Sequence, residues 1–340
     1  MDVIRGLAIV LMIFTHFFSY SINSALIHNI LLFDLNKVAS YISVPLFYFI
    51  VGFTLVISTN EKIKRGHSHE EIRKYVLVRA ILIYFFGFVL NLYQVGFTYV
   101  WHWSTLQIIS IGYLVTYFLL NQSKAIRASL IIVSIMIAFT LAPFYETHLY
   151  IGEWNIFGFF TGFIFSGGDP FFPWIAFFLL GSIIAEIRNT QKNIFLICVP
   201  LVVFSLCSLL VRDFIPITKY PASLTYNIIC LTAVLAIYYV LFWVYDIKNL
   251  GQILFNPLRI SGMFSLTIFM FHIILGREII KRFSLYQSLD FVEFLGLYVL
   301  TLIIITIIGF FWEKRKFKFS LDWILKIASH EMLKKKKMNT

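Results

Sequence analysis

MDVIRGLAIVLMIFTHFFSY, residues 1–20, is almost wholly apolar yet holds Asp2, Arg5 and His16. As a helix, a run of this length crosses the roughly 30 Å hydrocarbon core of a bilayer. It lacks the small-residue cleavage pattern and basic start of a signal peptide, so it reads as a mature first span at 3–22. Comparable windows fall near 38–59, 75–96, 104–121, 127–144, 171–187, 194–212, 222–246, 260–280 and 291–312. The expectation is an all-α integral membrane protein, a bundle of ten to eleven transmembrane helices around a through-membrane cavity.

Composition agrees. Of 340 residues, 60% are hydrophobic and 13% charged, against about 25% charged in soluble domains. The apolar runs recur from end to end, so the expected organisation is one transmembrane domain, 1–312, and a basic cytoplasmic tail, 313–340. That tail holds nine Lys or Arg against three acids and carries more than half of the net charge of +11. A basic tail beside a span suits anionic membrane lipid rather than nucleic acid. Cys198, Cys207 and Cys230 lie in apolar runs without metal or CxxC spacing, so no metal site or disulfide framework is expected.

Basic residues set the orientation. The segment 60–74 holds five Lys or Arg, whereas 23–37 holds one and 97–103 and 145–170 hold none. Both termini are thus expected in the cytoplasm. Arg212 with Lys219, and Arg277 with Lys281 and Arg282, fall on the outer side and run against this pattern. The aromatic segment 145–170 reads as an outer interfacial loop.

An ionisable group inside a span is costly and by default a functional candidate. Arg5 and His16, eleven residues apart, differ by about 20° around a helix and stand about 16 Å apart along it. Asp2 and Arg5 are i, i+3 neighbours able to pair, so one stripe carries all three. Arg5 at the inner boundary suits phosphate, and His16 lies deeper. The plainer readings are that Arg5 snorkels, His16 bonds a neighbouring helix and Asp2 is solvated.

These residues carry a resemblance. DVIRGLAIVLMIFTH (2–16) resembles the opening motif of the transmembrane acyltransferase superfamily, with an Arg, ten residues and a His. VPLFYFIVGFTLVIS (44–58), RKYVLVRAILIYFFGFVLNL (73–92), STLQIISIGYL (104–114) and DPFFPWIAFFLLGSII (169–184) resemble successive helices of its heparan-alpha-glucosaminide N-acetyltransferase-like branch. KYPASLTYNI (219–228), SGMFSLTIFMFH (261–272) and WEKRKFKFSLDWILK (312–326) are similar to the C-terminal half of that branch's bacterial relatives.

The resemblance implies transfer of an acetyl group from cytosolic acetyl-CoA to an outer acceptor, an amino sugar, glycan or lipid-linked sugar, in a prokaryotic plasma membrane. No metal is implied, membrane lipid is the surrounding partner, and a homodimer stays open. The broad family's spacing points to His16 as the catalytic histidine. The closer branch places its histidine in the following outer loop, where His28 is the nearest candidate. Direct transfer with His as general base and a covalent acetyl-histidine both remain open.

The phosphates of CoA call for cations at the inner face, offered by Arg5, Lys74, Arg79 and the stretch that begins with Lys314 and Arg315. Asp2 could hold Arg5, and Asn91 and Gln107 could polarise the thioester carbonyl or position the acceptor; helix-to-helix hydrogen bonding is the plainer use of both amides. His272 is a second mid-membrane imidazole that either bonds within the core or lines the cavity. Trp174 reads as packing, and His67 and His69 as solvated. An alternative function is a secondary transporter with Arg and His coupled to protons or an anion. That reading favours an inverted repeat with paired broken helices, which the sequence does not display. A catalytically silent scaffold or sensor of the same fold is a third possibility.

Overall fold

The computed structural model describes residues 1–23, 30–142, 156–166, 169–188, 199, 202, 203, 205, 206, 217–248 and 250–333. Among them every regular element is helical and none is a strand. In chain order these are α1 (Asp2–Ser21), α2 (Ile30–Lys64), α3 (His69–Val95), α4 (Thr105–Leu119), α5 (Lys124–Leu141), α6 (Ile156–Thr161) and α7 (Phe171–Ile187). There follow α8 (Leu224–Leu241), α9 (Gln252–Met263), α10 (Ser265–Arg282), α11 (Phe291–Glu313) and α12 (Leu321–Glu331).

Among the described residues six helices are long and apolar enough to cross a membrane, and α9 with α10, bent by 77°, make a seventh where the bent pair is counted as one span. The helices α4 and α7 are apolar but shorter. The expected span at 194–212 falls largely outside the described residues, so seven spans and two shorter helices account for the other nine windows.

The chain divides into two compact units, residues 1–47 with 233–323 and residues 48–232 with 324–340. In the first, α1 and α9 meet backbone to backbone. A Cβ at Gly6 would stand 1.9 Å from the Leu258 carbonyl oxygen, and one at Gly262 would stand 1.9 Å from that of Asp2. Apolar side chains gain little by leaving lipid for one another, so close approach at small residues and the dispersion it permits hold such helices together. Farther along α1, Phe14 packs edge-on against Phe294 and Tyr298 of α11, at 5.2 and 5.3 Å between ring centroids. The Tyr298 hydroxyl donates to the Val10 carbonyl at 3.1 Å. At the end remote from Asp2, the amides of Gln287 and Leu289 donate to the carbonyls of Tyr20 and Ser21, each at 2.9 Å.

The bend between α9 and α10 leaves the first amides of α10 without helical partners. Asp322 supplies one: its carboxylate accepts from the amides of Leu266 at 3.2 Å and Thr267 at 3.0 Å, and from the Thr267 hydroxyl at 2.9 Å. Burial pushes this carboxyl up, and the amide donors pull it back. Part of the basic tail is therefore folded: α12 begins by capping α10.

The second unit repeats the glycine device. A Cβ at Gly52 would stand 2.0 Å from the Phe178 carbonyl oxygen, and one at Gly181 2.0 Å from that of Phe49, so α2 and α7 touch through the glycines of two of the quoted motifs. Trp174 is fully buried, edge-on to Tyr48 and Tyr226, which is the packing role its sequence context suggested. Arg127 reaches Ser182 at 2.9 Å and Glu186 at 2.5 Å, joining α5 to α7.

Gly262→Val should destabilise the protein by the roughly 1–3 kcal/mol of an overpacked core or more, seen as a lower denaturation temperature in detergent. Gly296→Ala, with nothing within 4 Å of the added carbon, should leave that temperature unchanged.

Candidate active site

The polar stripe of α1 keeps the order its spacing requires. Arg5 donates to the Asp2 carboxylate at 3.0 Å and to the Gly262 carbonyl at 3.3 Å. The second contact exists because Gly262 brings the α9 backbone onto α1. Asp2 and α9 together aim a guanidinium that is one-quarter exposed.

His16, eleven residues on and half-buried, faces a second imidazole. The rings of His16 and His272 lie 5.0 Å apart between centroids with 42° between their planes. His272 is 6% exposed, and its Nδ1 lies 3.0 Å from the Ile268 carbonyl oxygen. A carbonyl only accepts, so Nδ1 carries the proton, and in the neutral ring Nε2 keeps its lone pair. That Nε2 is buried without a hydrogen-bond partner. Tyr20 stands edge-on to His16 at 6.1 Å. This pair can take up a proton, pass it between rings or attack an acyl carbon.

The nearer end of the unit is basic. Arg259 pairs with Glu313 at 2.8 Å, and the next residues, Lys314 and Arg315, are exposed, with the Lys314 ammonium 5.7 Å from the Phe311 ring centre.

In the second unit, Lys74 is exposed and paired with Glu70 at 2.6 Å. Arg79 donates to the Tyr75 hydroxyl at 3.3 Å. Beside it stands a cation that sequence reasoning passed over: Lys62, 8% exposed, lies 3.8 Å over the Tyr75 ring and reaches the Ser58 hydroxyl at 2.5 Å. His330 of α12 stacks edge-on against the same ring at 5.6 Å. Tyr75 therefore gathers Lys62, Arg79 and His330. The signal was present in the basic stretch 60–74, but only burial distinguishes Lys62 from its solvated neighbours.

Asn91 and Gln107 come together. The Asn91 amide donates to the carbonyls of Val100 at 3.1 Å and His102 at 2.7 Å. The Ser104 hydroxyl lies 3.0 Å from Asn91 Oδ1 and 2.5 Å from Gln107 Oε1. Both amides are buried, and Asn91 holds the turn between α3 and α4. Lys219, one of the cations against the charge pattern, faces the buried Asp169, which also accepts from the hydroxyls of Thr105 at 2.5 Å and Tyr220 at 3.4 Å. Burial pushes the Asp169 carboxyl up and the Lys219 ammonium down, and each charge favours the other.

His28, the alternative histidine, lies outside the described residues, as do His148, Cys198 and Cys207. Cys230 is buried and forms no disulfide, and His67 stands 3.5 Å from Glu71. Among the described residues no three His, Cys, Asp or Glu are grouped to hold a metal ion.

The family model for the heparan-alpha-glucosaminide N-acetyltransferase catalytic domain matches residues 1–213. That stretch includes Arg5, His16, His28, Asn91 and Gln107, and ends before His272. No curated protein matches the chain.

Asn91→Ala should cost about 1–3 kcal/mol, because the buried Val100 carbonyl and the part-buried His102 carbonyl lose their donor. Thermal denaturation of the purified protein measures it.

Proposed function

The chain belongs to the heparan-alpha-glucosaminide N-acetyltransferase family, and from that premise we propose that it carries an acetyl group from cytosolic acetyl-CoA to an amine or hydroxyl of a sugar on the other side of the membrane. It is a multi-pass integral membrane protein and an acetyltransferase-type enzyme. The Lys and Arg distribution supports cytoplasmic termini, and the likeness to bacterial relatives supports a prokaryotic plasma membrane.

The observation that carries the reading is the His16–His272 pair, 5.0 Å between rings, on the helix whose first turn holds Arg5. The phosphates of CoA are strong acceptors for guanidinium and ammonium donors. Arg5 is the donor nearest in sequence to His16; within the other unit, the buried Lys62 and the half-buried Arg79 form a separate cationic group. The pantetheine arm would then lie along α1, whose geometry separates Arg5 from His16 by about 16 Å.

In direct transfer, a neutral His16 takes the proton of the acceptor amine or hydroxyl as its nitrogen or oxygen attacks the thioester carbon. The carbon–sulfur bond breaks, and CoA leaves as a thiolate that is then protonated. In the stepwise route, a His16 ring nitrogen attacks first and CoA departs. The acceptor then displaces the imidazole from the acetyl carbon, and its proton returns to the ring. His272, with Nδ1–H committed to Ile268, can receive a proton at Nε2 in either route.

His16→Ala should lower transfer by at least about a hundredfold while the protein stays folded and still binds acetyl-CoA, measured with purified protein and labelled donor. Full activity would move the role to His28. Arg5→Ala should weaken CoA binding by about tenfold or more, and unchanged affinity would remove Arg5 from phosphate binding. In proteoliposomes with labelled acetyl-CoA inside, label should appear on an outer amino sugar while CoA stays inside. Transport of CoA or acceptor would instead support a carrier.

A further inference from the structure

The helix α10 starts without a cap of its own. Its N-cap residue, Phe264, offers no side-chain acceptor, at the place where Ser, Thr, Asn or Asp commonly stands. The acceptor comes instead from Asp322, which takes the amides of Leu266, 56 residues before it, and of Thr267. The Thr267 hydroxyl closes the contact: it donates to the same carboxylate at 2.9 Å and accepts from the Leu321 amide at 3.0 Å. Four hydrogen bonds thus join the first turns of α10 and α12.

His272 follows Leu266 by six residues, about 9 Å along α10. Because α9 and α10 meet at a 77° bend, with Phe264 outside helical geometry at φ −125° and ψ 37°, the ladder of α9 does not set the rotation of α10. A turn of about 20° around its axis would swing a ring about 6 Å off that axis by about 2 Å. That is large beside the 5.0 Å between the His272 and His16 ring centres. The same carboxylate acts on the cation of the α1 stripe. Against the burial that pushes the Asp322 carboxyl up, the charge of Arg5 helps to keep it ionised. Arg5 also donates to Asp2 at 3.0 Å, so its guanidinium lies in the field of two carboxylates.

We propose that Asp322 is a positioning residue of the transfer reaction: by holding the first turn of α10 it sets where His272 stands against His16, and by its charge it steadies Arg5. The inference rests on the acetyltransferase reading above and deepens it, adding a residue that acts through the two groups it holds. Capping alone asks for one acceptor oxygen, which a hydroxyl or an amide supplies. A carboxylate that gathers three donors and a cation does more, because it ties the proposed donor end of the stripe to the imidazole end.

The test is steady-state transfer from labelled acetyl-CoA to glucosamine by the purified full chain, with rates taken per folded molecule. Asp322→Ala should lower kcat about tenfold or more, since displacing a reacting group by an ångström slows the chemical step. Its KM for acetyl-CoA should stay at or below the wild-type value, because losing a negative charge beside Arg5 does not oppose an anionic donor. Asp322→Asn, which caps helices about as well as Asp, should recover kcat about threefold or more over Asp322→Ala. In a His272→Ala background, Asp322→Ala should change kcat by less than about twofold, since the two act through one group. Should Asp322→Ala fail to fold, Thr267→Val, which removes the bridging hydroxyl, should still lower kcat about twofold or more. An equal loss with and without His272 would make Asp322 merely structural and overturn the proposal, as would a raised KM with kcat unchanged. Wild-type activity in His272→Ala would also overturn it while leaving the acetyltransferase reading intact. No transfer by the wild-type protein would remove that reading, and this inference with it.

Discussion

The first unit depends on the contact of two backbones at Gly6 and Gly262. In lipid the surroundings of a helix are as apolar as its side chains, so burial of leucine and phenylalanine does not by itself choose a neighbour or a register. Close approach does: with both Cβ positions occupied by carbonyl oxygens, α1 can meet α9 here in one register only. The same contact lends the Gly262 carbonyl to Arg5 and fixes where α10 begins. Once α10 departs at its bend, capped by Asp322, its stripe of Ile268 and His272 is brought alongside α1 at the depth of His16.

How the protein satisfies its intramembrane polar groups separates structure from chemistry. Most hydroxyls return to their own helix: Ser19 donates to the Thr15 carbonyl, Thr54 to Ile50, Thr301 to Leu297 and Thr306 to Leu302, each at 2.8 Å. Asn91 binds the turn between α3 and α4, and Arg127 binds two side chains of α7. The hydroxyls and the Asn91 amide have no bonding capacity left for a substrate at their donor atoms. The His272 Nε2 is different, being buried and without a hydrogen-bond partner, and its ring adjoins the imidazole that shares a helix face with Arg5. Leaving a buried acceptor unsatisfied costs free energy, which is a reason to look for its use in the reaction.

The resemblance of short segments to a family gains physical content from the packing. VPLFYFIVGFTLVIS and DPFFPWIAFFLLGSII share little as strings, yet their glycines, Gly52 and Gly181, are the reciprocal contact of α2 and α7, and their aromatic residues Tyr48, Trp174 and Phe178 form its stacked core. Of the cations that ran against the positive-inside pattern, Arg212 lies outside the described residues, Lys219 faces a buried carboxylate within its own unit, Arg277 lies beside Tyr20 of α1, and Lys281 and Arg282 are exposed at the end of α10.

The sequence by itself determined the membrane class, the position of most spans and the Asp2, Arg5 and His16 stripe, because hydropathy and helical periodicity are properties of one segment at a time. It also marked Asn91, Gln107 and His272 as intramembrane polar residues, without saying which would meet. Only the tertiary structure decided that His272 is the neighbour of His16, that Lys62 is buried against Tyr75 beside Arg79, and that Asp322 leaves the basic tail to cap α10. Hydropathy carries no record of which way a helix turns its faces. That is decided where glycines let backbones touch, between residues far apart in the chain.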